Sequence, residues 1–339
     1  MKKTNIKWKN YLNHRNEIFG ISALAIMLYH INKYVGFNYL GPIGHAITRV
    51  FALGNAGVDV FLFLSALGLT FSNMGNGIMN FYVRRARRIL PVYFLISIPY
   101  FIVYDFVIYK QSLWLYFLDV FTISFWFKNE LYPFWYMSFI VVAYLLFPLL
   151  IKMDKYTKHI STIIILFAAL AVAPYMHSSN DNILIFFEIA ISRIPAFMLG
   201  ILCGSIEKEK EFSVWEIIII TSVVVISLVA IASNFIIAAT YRYVVAALGL
   251  ASSFLLAVIL SKMKNVYITN VLKFYGEMSL EIYLVHVGLF QILKFYNVWS
   301  SMPAIIWYVV IIGVSTVISM FIHKRLQKCF SSTKTLFSA

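Results

Sequence analysis

Four ionisable side chains, His30, Asp59, Arg193 and His286, each lie inside a long apolar stretch of the chain. A charged group at the centre of a membrane-crossing helix costs about 2.5–3.5 kcal/mol on insertion scales, so each asks for a partner or a function. At 1.5 Å per helical residue, His30 falls about 20 Å from the inner end of its stretch and His286 about 18 Å from the inner end of its own. Asp59 lies about 14 Å, and Arg193 about 17 Å, from the outer ends of theirs. All four occupy one slab between the midplane and the outer half of a bilayer, which points to a common polar cavity. Imidazole, titrating near neutrality, suits proton transfer there. Asp59 and Arg193 also fit a structural ion pair locking two helices, and intramembrane histidines also serve as interhelical hydrogen bonders. Glu188 and Glu281 stand five residues before Arg193 and His286, a spacing poor for one helix face, and are expected to pair with other helices.

A second signal is the run Arg84-Arg85-Ala86-Arg87-Arg88, followed by Ile89-Leu90-Pro91. Four arginines beside a span fit a topology anchor for anionic lipid. They equally fit a phosphate site, because guanidinium forks bind phosphate oxygens bidentately. Coenzyme A, with a 3′-phosphate and a pyrophosphate, suits such a patch. Pro91 fits the first helical turn of the span that follows. No metal site is expected.

The elements that must position these residues are helices. Hydrophobic residues make up 61% of the 339 and charged residues 12%, about half the share of a soluble chain, so lipid is the outer solvent. The apolar runs are continuous and long enough for a core of about 30 Å, which predicts helices rather than a barrel. Ten spans are expected, over 17–35, 50–72, 89–109, 132–151, 159–176, 182–204, 214–233, 240–261, 274–294 and 303–323. The stretch 112–127 carries Asp119 and is read as interfacial. With both termini cytoplasmic, 21 of the 28 Lys and Arg residues fall on the inner side, and an eleventh span at 112–127 would break that bias. The formal charge of +14 is thus a topology signal and not a nucleic-acid footprint. Cys203 and Cys329 make no disulfide framework. The first span has no small-residue cleavage pattern and is expected to be retained. The fold class is therefore all-α and polytopic, in one membrane domain with short basic cytoplasmic tails.

Several segments together resemble the membrane acyltransferase-3 family. "GISALAIMLYH" from Gly20 to His30 is similar to its first helix, and "GVDVFLFLS" from Gly57 to Ser65 to its second. "FYVRRARRILPVY" from Phe81 resembles its arginine-rich approach to the third span. "FWYMSFIVVAYLLFPLL" from Phe134, "SRIPAFMLGILCG" from Ser192 and "SLEIYLVH" from Ser279 follow in family order. The resemblance covers about residues 12–325. Three positions depart from it: Phe19 stands where an arginine is common, with Arg15 one turn earlier on a similar face; Ala66 replaces a glycine; and Ile140-Val141-Val142 replaces a stretch that carries a glutamate in one subgroup.

The resemblance implies transfer of an acyl group, usually acetyl, from cytoplasmic acetyl-CoA to a hydroxyl of a cell-envelope or exported saccharide, or of a lipid-linked glycan, at the outer face of a bacterial cytoplasmic membrane. In that reading His30 is the general base and His286 or Arg193 stabilises the oxyanion. Asp59 orients a histidine or balances Arg193, and Arg84, Arg85, Arg87 and Arg88 hold the CoA phosphates. The rival is a carrier or flippase for a lipid-linked saccharide or small metabolite, with the buried charges as its gate.

Overall fold

The structure is a computed structural model that describes residues 3–72, 77–127, 132–179, 182–233, 238–263 and 265–336. Among them run fifteen α-helices: α1 (Trp8–Asn13), α2 (Arg15–Asn32), α3 (Gly41–Ala52), α4 (Ala56–Thr70), α5 (Ile78–Phe101), α6 (Leu113–Val120), α7 (Trp135–Tyr156), α8 (Ile160–His177), α9 (Asn182–Ile191), α10 (Ile194–Cys203), α11 (Val214–Ser233), α12 (Ala238–Lys262), α13 (Val266–Glu277), α14 (Ser279–Phe295) and α15 (Ala304–Leu336). Among the described residues one two-stranded sheet forms, β1 (Lys3–Lys7) antiparallel to β2 (Glu211–Ser213).

The protein is a polytopic α-helical membrane protein. Seven helical runs among the described residues are long and apolar enough to cross a bilayer, or eight if α13 and α14, interrupted at Met278, count as one. These eight correspond to eight of the ten expected spans. The other two are helical but fall short for physical reasons. The first, within α2, carries Arg15 and Glu17 in its first turn. The sixth is divided at Ser192–Arg193 into α9 and α10, of ten residues each. At 1.5 Å per residue, α6 with eight residues is about 12 Å long, too short to cross, in keeping with an interfacial reading of 112–127.

The third span differs from expectation. Its helix begins at Ile78, so Pro91 lies inside α5 and not in its first turn, and the arginine run is helical. With 24 residues α5 is about 36 Å long, so its arginine-bearing turns extend past the apolar core, where charges stay solvated. The amino-terminal segment is likewise no loose basic tail. Trp8 and Tyr11 are fully buried and stack on Phe254 of α12, with Tyr11 Oη 3.1 Å from Ser253 Oγ. Lys7 and Lys9 both bridge Glu209. The hydrogen bonds of β1 to β2 require that residues 3–9 and 208–213 lie on the same side of the membrane, as the positive-inside count expects.

The chain divides into two compact units, each built from three separate stretches: 1–26, 53–75 and 139–276 in one; 27–52, 76–138 and 277–339 in the other. In the first unit α4 packs on α10 and α12, α11 on α12, and α8 on α9, α10 and α12. The α4–α10 approach is close enough that a Cβ on Gly200 would run into the Phe63 carbonyl oxygen, so this crossing needs a glycine. In the second unit α5, α14 and α15 pack pairwise on one another. Gly288 of α14 lies against the Tyr100 ring of α5, where an added Cβ would make a tight contact.

Candidate functional site

The second unit brings His30 and His286 together. His30 is in the last turn of α2, and its Nδ1 lies 3.0 Å from His286 Nε2. His286, in the middle of α14, directs Nδ1 at the Ile282 carbonyl one turn earlier. A carbonyl only accepts, so His286 Nδ1 carries the proton and donates. Neutral His286 then has its lone pair on Nε2, which accepts from His30 Nδ1–H. The remaining lone pair of the couple is on His30 Nε2. His286 is 1% exposed, whereas His30 is half-buried, so the basic nitrogen belongs to the more accessible ring.

The first unit pairs Asp59 with Arg193. Arg193 donates Nη1 to Asp59 Oδ2 and Nη2 to Asn55 Oδ1 at 3.1 Å. Asp59 is 0% and Arg193 1% exposed, a depth at which either charge alone would be expensive. The break between α9 and α10 makes this pair possible. Arg193 caps α10, with Pro195 in the first turn, and its side chain leaves the chain where the helix is interrupted. Glu188 and Glu281 do pair with other helices. Glu188 receives Arg242 Nε of α12 at 3.1 Å and lies 4.0 Å from His177 of α8; Glu281 receives His323 Nδ1 of α15 at 2.8 Å. Arg242, His177 and His323 carried no sequence signal as partners, because the period of an apolar helix says nothing of what faces it.

Arg84, Arg87 and Arg88 are exposed and share one face of α5 at i, i+3 and i+4. Arg85 is turned off that face, with its guanidinium 5.6 Å from the Phe81 ring. Three guanidiniums on one solvated face fit a multiply charged anion. Arg15, the candidate for the missing family arginine, donates Nη2 to the Leu64 carbonyl at 3.1 Å and fills the notch left by Gly68 on α4. His14 Nδ1, 3.1 Å away, and Lys273 Nζ, 3.8 Å away, both face buried Glu17.

Buried polar groups thus recur inside the spanning helices, with a histidine couple among them. The acyltransferase domain of the acyltransferase 3 family matches residues 20–324, and the chain belongs to that family. It is accordingly a membrane acyltransferase. Comparison with curated proteins and with solved structures gives no match.

Proposed function

We propose that the protein moves an acetyl group from cytoplasmic acetyl-CoA to a hydroxyl of a cell-envelope or exported saccharide, in a bacterial cytoplasmic membrane with both chain termini inside. The observation that carries this is the directed histidine couple, which supports His30 Nε2 as a base. His30 Nε2 takes the acceptor hydroxyl proton while that oxygen attacks the thioester carbonyl. The tetrahedral oxyanion collapses, the C–S bond breaks, and the CoA thiolate leaves with the proton now on His30. Both nitrogens of His286 are engaged, so its role is to position His30, and the imidazolium formed in the reaction is held by His286 Nε2. This replaces an oxyanion role for His286. Asp59 and Arg193 balance each other, which makes them structural supports of the α4–α10 region. Arg84, Arg87 and Arg88 receive the CoA phosphates, with Arg85 beside them.

Purified protein in detergent tests the reading against a carrier. Acetyl-CoA consumption that requires saccharide, with acetyl ester recovered on the saccharide, supports transfer. Saccharide movement into liposomes without acetyl-CoA, and no ester formed, supports the carrier.

A further inference from the structure

Cations gather at the end of the second unit where His30 sits. Lys33 follows His30 by three residues, and its backbone N–H still bonds to the Tyr29 carbonyl, so helical spacing persists through it. That spacing puts two side chains on one side of a helix, with Cβ atoms about 5–6 Å apart. Lys294 stands one turn beyond Phe290, whose ring centre is 6.0 Å from that of His30. Contacts between their neighbours tie two more cations to the same end. Tyr109, next to Lys110, has its ring 6.0 Å from that of Phe295, next to Lys294. Asn32 donates to the Thr48 carbonyl at 2.9 Å, which brings Arg49 of α3 alongside Lys33.

Lys33, Arg49, Lys110 and Lys294 are all exposed, and none forms an ion pair among the described residues. No exposed carboxylate balances them. In the described stretches at this end, 27–52, 102–127, 132–138 and 286–308, the acids are Asp105 and Asp119, which are 0% and 2% exposed. The arginine run of α5 belongs to the opposite end, because α5 leads away from it toward Tyr109. A topology signal does not explain the four cations. In the orientation proposed above they lie on the outer side, where Lys and Arg are otherwise sparse. They come from four separate elements that converge where the accessible nitrogen of the histidine couple lies.

Clustered charge of one sign focuses the local field and raises the concentration of the opposite charge beside it. We propose that the acceptor is an anionic saccharide, carrying a phosphate or carboxylate close to the hydroxyl that it presents to His30 Nε2. Lys33 and Lys294 are the cations that meet the anionic group, and Arg49 and Lys110 frame its approach. The proposal rests on the acyl-transfer reading of the histidine couple and narrows its acceptor to a charge class.

The test uses the full chain in detergent with acetyl-CoA and three acceptor probes: neutral methyl glucoside, methyl glucuronide with its carboxylate, and glucose 1-phosphate. At about 20 mM salt at least one anionic probe should exceed the neutral one about tenfold in kcat/KM. That excess should shrink to about twofold near 0.5 M salt, where exposed charges are screened. The double change Lys33→Gln with Lys294→Gln should cut the low-salt excess to about threefold or less, through a higher KM for the anionic probe. Equal use of neutral and anionic probes by the wild type overturns the proposal and leaves the acyl-transfer reading standing. So does an excess that survives both salt and the double change. A double variant whose KM rises for acetyl-CoA and not for the anionic probe assigns these cations to the donor, and overturns the proposal as well. Absence of any His30-dependent transfer to all three probes defeats the acyl-transfer reading itself.

Discussion

At the scale of the residue, proton transfer by His30 depends on which of its nitrogens holds the lone pair. The Ile282 carbonyl decides this through His286, so His286 matters by what it presents to His30. His286→Ala should lower kcat by about 10²–10⁴, the range of a disabled general base. His286→Gln, whose amide oxygen can accept from His30 Nδ1–H, should recover at least about tenfold of that loss. Rates of acetyl transfer for the two variants decide it, and equal loss in both would make His286 a packing residue. Both histidines were legible in the sequence, since an ionisable ring in an apolar helix stands out. Their pairing was not, because His30 and His286 are 256 residues apart and a single sequence holds no angular information between helices.

At the scale of the element, the interrupted run α9–α10 and the helix α5 show where apolar periodicity misleads. A continuous span was expected over 182–204 because Ser192-Arg193 is a small interruption in hydropathy, yet the chain breaks there and sends Arg193 to Asp59. Pro91 fits the first turn of a span starting at 89, whereas α5 begins thirteen residues before it at Ile78. The ion pair predicts its own thermodynamics. Asp59→Ala leaves Arg193 buried without its carboxylate and should cost about 3–5 kcal/mol, while the double change Asp59→Leu with Arg193→Met should restore most of it. Thermal denaturation in detergent reads both, and a benign Asp59→Ala would contradict the pairing. The strand pair makes a second prediction. Hydrogen bonds from Lys7 and Lys9 hold the Glu209 carboxyl below its usual range, and the Glu209 hydrogen bond raises the Lys7 ammonium. A depressed acid stabilises above its unfolded pKa and loses that contribution as pH falls through its folded one; a raised base keeps its contribution until pH climbs through its folded value. Amide protection of Lys3–Lys7 in the wild type should therefore exceed that in Glu209→Gln at neutral pH, with the difference vanishing as pH falls through the lowered folded value of Glu209. A difference that persists in acid would show that the ion pair is not its source.

At the scale of the whole molecule, composition and charge distribution carried the membrane reading, because so few charged residues leave no other solvent for the surface. The two compact units, each stitched from three distant stretches, were not legible, since contact partners so far apart leave no mark on local pattern. Orientation has a direct probe in the two cysteines, Cys203 and Cys329. In a Cys203→Ser background, an impermeant thiol reagent should label exposed Cys329 only after the membrane is opened, and labelling in intact cells would put the carboxy terminus outside. The central claim, that the molecule is an acyltransferase whose base is His30, has one most direct measurement. Cells carrying His30→Ala at wild-type protein level should lose the acetyl groups that the wild-type protein adds to envelope saccharide, measured by mass analysis of the glycans. Undiminished acetylation in those cells would contradict it.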